Sequence, residues 1–145
     1  MMNCQANATL PYPPDDEQKG RGDFCIMIVE DEAFQSLELI KTIERAGFET
    51  VGPFAHCAFA LALLEEFVPD AALLDIHLRD EETSAPIADA LAALGVPFAF
   101  LSGHSMEMTS RVKGHEDRNV YAKPWTEDNL IAIADRLTIQ RDSFA

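Results

Sequence analysis

Two kinds of segment alternate regularly along this chain, and the alternation constrains the fold more than any single motif does. Apolar runs of strand length are separated by longer stretches in which apolar residues recur every three or four positions, the period of an α-helix. The apolar runs predict strands at residues 24–29, 48–54, 71–75, 96–102 and 119–123. The periodic stretches predict helices at residues 32–47, 55–67, 85–95 and 126–137.

Local signals mark the ends of these helices. Gly47 and Gly95 follow the first and third helices, Pro69 follows the second, and Thr126 is placed to cap the last one. The first helix has five apolar residues predicted to face the core: Ala33, Phe34, Leu37, Ile40 and Ile43. The weakly patterned stretch 103–118 predicts only a short or irregular fourth helix.

Strands that alternate with helices form parallel sheets, because parallel neighbours need crossover connections. We therefore predict an α/β fold, in which a doubly wound, five-stranded parallel sheet of order 2-1-3-4-5 carries helices on both faces. The nearly continuous apolar strands fit a sheet that is covered on both sides.

Residues 1–22 have no apolar period and predict a disordered or loosely attached segment, whereas residues 23–140 predict one domain with no effector domain. The chain shows no secretory signal and no apolar stretch long enough to span a membrane, so we expect a cytoplasmic protein. Three cysteines without CxxC spacing argue against both a disulfide framework and a zinc site. The net charge of -14 argues against direct binding to DNA or to anionic membranes.

Polar side chains stand where four of the predicted strands end. Glu30 and Asp31 follow the first strand, Asp75 ends the third, Ser102 the fourth and Lys123 the fifth. The carboxyl ends of parallel strands share one edge, and ligands of open α/β sheets bind where the strand order reverses. In the order 2-1-3-4-5 this point lies between strands one and three, so three carboxylates are expected to converge there.

Clustered carboxylates repel one another unless a cation lies between them. Oxygen ligands suit Mg²⁺, with Mn²⁺ as an alternative, and magnesium sites commonly combine carboxylates with a phosphate oxygen. A lysine and a hydroxyl at the same edge complete a set of groups suited to phosphoryl transfer, because cations neutralise the phosphoryl oxygens while a carboxylate attacks. These residues predict such chemistry at Asp75.

Four motifs occur in order at these strand ends: IMIVEDE, AALLDIHL, FLSG and AKPW. Together, over about residues 24–138, they resemble the receiver domains of response regulators. The stretch DIHLRDEETSAPIADALAALGVPFAFLSG resembles a subgroup of stand-alone single-domain receivers, in which the usual proline and glycine after the phosphoacceptor are missing. The resemblance implies a flavodoxin-like fold and a phosphoprotein of a two-component system or phosphorelay, which receives its phosphoryl group from a histidine kinase or a histidine phosphotransfer protein. It also implies signalling through a downstream protein target, with homodimer formation left open, rather than metabolic catalysis.

The same resemblance assigns roles to individual residues. Asp75 is the implied phosphoacceptor, Lys123 contacts the phosphoryl group, and Ser102 moves toward it as a switch. The implied Mg²⁺ ligands are Glu30, Asp31, Asp75 and the backbone carbonyl of His77. His77 and His104, two positions after the acceptor and the hydroxyl, are predicted to tune the lifetime of the phosphoaspartate.

Two features depart from the common receiver pattern. Arg79 and Asp80 occupy the stretch where a proline and a glycine usually follow the phosphoacceptor. Val120 stands three positions before the lysine, where receivers commonly place an aromatic switch residue, and Tyr121 is one position off. Because side chains of a strand alternate between faces, Tyr121 is expected to point away from Val120. An atypical output face is therefore predicted.

Two other functions stay open at this point. A phosphorylation-independent adaptor of the same fold would tolerate loss of the Asp75 carboxylate. A metal-dependent phosphatase would use Asp75 as its nucleophile, but such enzymes place a second acid two positions later, where this chain has His77. A flavin-binding module is disfavoured because the first strand ends in acids rather than in a phosphate-binding loop.

Overall fold

The computed structural model describes residues 20–103, 112, 114, 115 and 118–144. Within these residues the strands are β1 (Cys25–Val29), β2 (Glu49–Phe54), β3 (Ala71–Asp75), β4 (Phe98–Ser102) and β5 (Val120–Ala122). The helices are α1 (Ala33–Arg45), α2 (Cys57–Leu64), α3 (Ala85–Ala93) and α4 (Glu127–Phe144). Short 3₁₀ turns lie at Arg21–Asp23 and Arg79–Glu81.

The five strands form one parallel sheet in the order β2-β1-β3-β4-β5, which confirms the predicted doubly wound topology. The order reverses at β1, which pairs with both β2 and β3. Val29 of β1 lies opposite Leu74 of β3, and Asp75 lies opposite Leu101 of β4. This register aligns the carboxyl ends of β1, β3 and β4 at one edge of the sheet.

Apolar side chains form a separate cluster on each face of the sheet. On one face, α2 and α3 cover residues such as Met27, Leu74 and Phe100. On the other face, α1 and α4 cover residues such as Ile26 and Leu73. All residues of β1 and β4 are buried, as expected for strands covered on both sides. Packing on both faces therefore holds the strand ends in fixed positions.

The apolar face of α1 read from the sequence coincides only in part with its buried face, because Ile43 is buried and Ile40 packs half-buried against the same cluster. The buried residues of α1 are Ser36, Leu39, Thr42 and Ile43. Of the five predicted core residues only Ile43 is buried, whereas Phe34 is 67% exposed and Leu37 is 49% exposed. Small polar residues can be buried here because the Ser36 hydroxyl donates a hydrogen bond to the Ala33 carbonyl at 2.8 Å, so burial leaves it satisfied.

The last helix begins where the sequence predicted and continues beyond residue 137 to Phe144. The Thr126 hydroxyl accepts a hydrogen bond from the Asn129 amide at 3.1 Å, which is the expected N-cap contact. Arg21 donates two hydrogen bonds to the Asp135 carboxylate, at 3.1 and 2.8 Å. These bonds attach the turn before β1 to α4.

Some expectations fall outside the described residues. These include most of the predicted N-terminal segment and most of the stretch expected to hold a short or irregular helix before β5. Cys25 is buried in β1 but is disulfide-bonded, contrary to the expectation from cysteine spacing. Among the helices of the described ranges, none is both long and apolar enough to cross a membrane.

Candidate functional site

The Glu30 carboxylate is held at the end of β1 by two donors. Glu30 is 3% exposed, and its oxygens accept hydrogen bonds from the Glu32 amide at 3.1 Å and from Lys123 Nζ at 2.8 Å. Glu32 is the N-cap of α1, because its carboxylate accepts the Gln35 amide at 2.7 Å. Helix capping therefore does not explain why Glu30 and Asp31 are acidic.

Asp75 joins this acidic pair because β1 and β3 are neighbours in register. Carboxylate oxygens of Glu30, Asp31 and Asp75 all lie within 4.8 Å of one another. Burial raises the pKa of the Asp75 carboxyl from 3.8 to about 7, with the negative charge of Glu30 adding to the rise and Lys123 opposing it. Burial is the larger cause of the raised pKa, and the neighbouring Glu30 carboxylate adds to it.

Lys123 brings a positive charge to the same edge. Its Nζ atom lies 2.8 Å from Glu30 Oε1, 2.7 Å from Gln35 Oε1 and 3.6 Å from Asp75 Oδ2. The Lys123 amide donates to the Ser102 carbonyl at 2.8 Å, which extends the pairing of β4 with β5 by one residue. Strand pairing therefore delivers the ammonium group to the acidic cluster.

The three predicted switch residues are divided between the two faces of the sheet. Ser102 is 2% exposed, and alternation along β4 places its side chain on the same face as Phe100. Val120 packs against the cluster on that face, whereas Tyr121 packs against the opposite cluster. The Tyr121 hydroxyl accepts a hydrogen bond from Arg136 Nη1 at 3.3 Å. Tyr121 thus points away from Val120, as strand alternation predicted.

The loop after Asp75 folds back on itself and is fastened at two places. His77 and Thr83 form an isolated antiparallel bridge within it. Arg79 Nη2 donates to the Asp31 carbonyl at 3.1 Å, which ties the loop to the segment between β1 and α1. Glu82 accepts the backbone amide at the start of α2 at 3.1 Å. The residues that replace the common proline and glycine thus lie in a loop closed by these bonds. His104, the second histidine predicted to affect the phosphoaspartate, lies outside the described residues.

Two side chains contact the predicted site residues, and the sequence analysis did not predict either contact. Gln35 bonds to Lys123, and Arg79 bonds to the backbone of Asp31. A positional signal for Gln35 was available, because it lies in the first turn of a helix that begins directly after the acidic pair. No such signal existed for Arg79, since the path of its loop depends on bonds that the sequence does not reveal.

The donor set fits a divalent cation. Three carboxylates within 4.8 Å present the hard oxygen ligands that Mg²⁺ and Mn²⁺ prefer. When all three are ionised, the charge of Lys123 offsets only one of the three negative charges. A divalent cation held between Glu30, Asp31 and Asp75 would offset the other two.

Comparisons with solved structures agree with this geometry. The solution structure of SdrG from Sphingomonas melonis Fr1 is 38% identical, with a TM-score of 0.68, and the match covers 80% of this chain and 96% of SdrG. The BeF3-activated conformation of SdrG from Pseudomonas melonis Fr1 is 39% identical, with a TM-score of 0.66 and coverages of 79% and 95%. The response regulator PhyR from Brucella abortus is 25% identical, with a TM-score of 0.72, and the match covers 83% of this chain and 49% of PhyR.

No protein-family model and no curated protein matches the chain. The receiver-domain neighbours support a phosphorylatable signalling domain, and the parallel sheet of order 2-1-3-4-5, with an acidic cluster and a lysine at its carboxyl edge, agrees with that class. With the identity to SdrG over nearly all of that protein, the chain belongs to the receiver domains of response regulators, the family of two-component signalling.

Proposed function

We propose that this receiver domain takes a phosphoryl group from a phosphohistidine onto Asp75 in a Mg²⁺-dependent reaction. The supporting observation is the convergence of Glu30, Asp31 and Asp75 at the edge where Lys123 Nζ lies 3.6 Å from the Asp75 carboxylate. The donor is a histidine kinase or a histidine phosphotransfer protein, and the signal leaves through contacts with other proteins.

Each side chain has a defined part in the transfer. An Asp75 oxygen attacks phosphorus in line while the bond from phosphorus to the donor imidazole breaks, and the imidazole nitrogen keeps the bonding electrons. Lys123 donates hydrogen bonds to the phosphoryl oxygens as their charge develops. Bound Mg²⁺ or Mn²⁺ supplies further neutralisation of those oxygens. The residues that would hold the ion are Glu30, Asp31, Asp75 and the backbone carbonyl of His77.

The raised pKa of Asp75 links metal binding to activation of the nucleophile. Burial raises the pKa of Asp75 to about 7, and the ionised carboxylate is the form that attacks phosphorus. A divalent cation at Glu30 and Asp31 favours the ionised form of Asp75. Glu30 and Asp31 would therefore hold a positive charge that favours the nucleophilic form of Asp75.

A groove of about 520 Å³ beside Lys123 gives the donor a route to the site. Its lining residues are Phe34, Gln35, Glu38, Gly103, Lys123, Pro124 and Trp125. Phe34, at the rim, is 67% exposed and supplies apolar surface that a docked donor would bury. The unexpected orientation of α1 therefore serves the proposed function, because it exposes this side chain next to the acceptor edge.

The output side of the proposal follows from charge and from the placement of the switch residues. A net charge of -14 favours a downstream protein target over DNA, with a homodimer as a second route of output. Ser102 and Val120 share a sheet face, so the switch couples the hydroxyl to Val120 and leaves Tyr121 on the opposite face. A cytoplasmic, non-metabolic signalling role belongs to the same proposal.

His77 and His104 extend the proposal to the lifetime of the phosphorylated state. His77 lies two residues after Asp75 in the loop that folds back on itself, and His104 follows Ser102 by two residues. We expect His77→Ala and His104→Ala each to change the rate at which phosphoaspartate is hydrolysed. Rates equal to that of the wild type in both variants would remove the two histidines from the proposal.

Intact mass spectrometry tests the proposed function. The wild type and Asp75→Asn are incubated with acetyl phosphate, and separately with a phosphorylated histidine phosphotransfer protein, each with Mg²⁺ or with EDTA. We expect one added phosphoryl group only in the wild type with Mg²⁺. Absence of an adduct with both donors would contradict the proposal and favour the phosphorylation-independent adaptor.

A further inference from the structure

Gln35 is a direct partner of Lys123 that the proposed reaction leaves without a role. Its Oε1 atom lies 2.7 Å from Lys123 Nζ, slightly closer than the Glu30 oxygen at 2.8 Å. An ammonium group has three N–H donors and no acceptor. Two of the donors are occupied by Gln35 and Glu30, and the third remains for the edge on which Asp75 lies at 3.6 Å.

The Gln35 backbone is fixed relative to the acidic cluster. Gln35 is the third residue of α1, and its amide donates to the Glu32 carboxylate at 2.7 Å. The Glu32 amide in turn donates to the Glu30 carboxylate at 3.1 Å. The base of the Gln35 side chain is therefore held by the same hydrogen-bonded turn that positions Glu30, one of the two residues that bind the ammonium.

We propose that Gln35 is a positioning residue that holds the Lys123 ammonium in place for a phosphoryl group on Asp75. The inference rests on the proposed function, since it needs an anion at Asp75. A free lysine side chain loses rotamer freedom when it binds an anion, and an ammonium that is already held loses less. The bond to Gln35 therefore restricts the Lys123 side chain before the anion binds, so less rotamer freedom is lost on binding.

The neutral amide suits this task better than a carboxylate would. Glu30, Asp31 and Asp75 already place three acidic groups within 4.8 Å of one another. A fourth carboxylate at the position of Gln35 would bind the ammonium more strongly and would repel an incoming phosphoryl group. An amide oxygen accepts from Lys123 without adding negative charge to the site.

Binding of beryllofluoride, an analogue of the phosphoryl group, tests the inference. Fluorine NMR measures the bound analogue at saturating Mg²⁺, and calorimetry measures binding of Mg²⁺ alone. The variants are Gln35→Met, which keeps the length of the side chain but removes the acceptor, and Gln140→Met, a control on α4. Thermal melts confirm that both variants are folded.

We expect Gln35→Met to weaken beryllofluoride binding about three- to tenfold, which is less than the loss of a whole hydrogen bond to a charged group, because Glu30 still holds the ammonium. Its affinity for Mg²⁺ alone should stay within about twofold of the wild type, and Gln140→Met should match the wild type in both measurements. A purely structural role of Gln35 would not separate the two affinities.

The results that would contradict the positioning role of Gln35 differ from those that would contradict the proposed function. If the wild type binds beryllofluoride and Gln35→Met binds it equally well or more tightly, the positioning role is overturned while the proposed function stands. If Gln35→Met loses affinity for Mg²⁺ and beryllofluoride in the same proportion, the role is overturned in favour of a general effect on the site. If the wild type binds neither Mg²⁺ nor beryllofluoride, the proposed function itself fails.

Discussion

Two aspartates flank strand β3, and they have opposite surroundings. Asp70 precedes the strand and Asp75 ends it. Their side chains are similarly accessible, at 22% and 13% exposed. The Asp70 carboxylate accepts the Cys25 amide at 2.8 Å and lies 3.9 Å from Arg141 Nε, so donors surround it. Asp75 instead shares its surroundings with other carboxylates.

At β3, the position of each aspartate along the strand distinguishes their surroundings more than its exposure does. At the amino end of β3, a backbone amide of neighbouring β1 is available to stabilise a carboxylate. At the carboxyl end, β1 has already supplied two acids, and β5 supplies one lysine. Asp70 is therefore satisfied by donors of the protein itself, whereas Asp75 lies among carboxylates with Lys123 at 3.6 Å.

Removal of the one cation beside Asp75 in the described structure should have the largest effect. Lys123→Met should slow phosphorylation by acetyl phosphate at saturating Mg²⁺ about 10- to 100-fold, because a preorganised donor to the transferring oxygens is lost. Intact mass against time gives the rate. Lys41→Met, at an exposed position of α1, is the control and should leave the rate unchanged. A phosphorylation rate of Lys123→Met within about twofold of the wild type would contradict the role assigned to Lys123 at the carboxyl end of β3.

The second prediction concerns pH and stability in the absence of metal. Between 3.8 and about 7 the folded state keeps a proton on Asp75 that the unfolded chain has lost, so the free energy of unfolding should fall as pH rises through this window. Asp75→Asn should remove this fall and be more stable than the wild type by about 1 to 2 kcal/mol near pH 8, a value limited by solvent screening.

Urea denaturation in EDTA, repeated across this pH window, measures the effect. Asp70→Asn serves as the matched variant, since it removes a carboxylate at the other end of the same strand and should keep the wild-type dependence on pH. If the free energy of unfolding falls in parallel for Asp75→Asn and the wild type as pH rises, the raised pKa of Asp75 is not the source of the pH dependence of stability.

The smallest effect is expected at the amino end of the strand. Asp70→Ala should lower the free energy of unfolding by about 1 kcal/mol, because the buried Cys25 amide loses its acceptor. Asp70→Asn keeps an acceptor oxygen and should recover most of this loss. Both variants should still be phosphorylated, and loss of phosphorylation in either would mean that Asp70 acts on the site.

Much of the fold and the convergence of the site could be predicted from the sequence, because both depend on periodicity along the chain. The apolar run before Asp75 predicted β3 with its observed bounds, and parallel strand ends must meet at one edge. The buried face of α1 could not be predicted, because Ser36 is buried through a bond to its own helix backbone.

Contacts that depend on the path of a loop or the rotamer of a side chain were also beyond the sequence. The Arg79 bond to the segment after β1 exists only because the loop beyond Asp75 folds back through residues 77 and 83. The bond from Gln35 to Lys123 joins residues 88 positions apart. The place of Gln35 in the first turn of α1 was a signal that this residue lies near the site, but both contacts are visible only in the folded arrangement.

The most direct test of the central claim is to locate the phosphoryl group. Wild-type protein phosphorylated by acetyl phosphate with Mg²⁺ is treated with borohydride, which reduces an aspartyl phosphate to homoserine, and the peptides are sequenced by tandem mass spectrometry. Our expectation is homoserine at position 75 and unmodified aspartate at positions 70 and 31. Homoserine at either of those positions, with Asp75 intact, would contradict it.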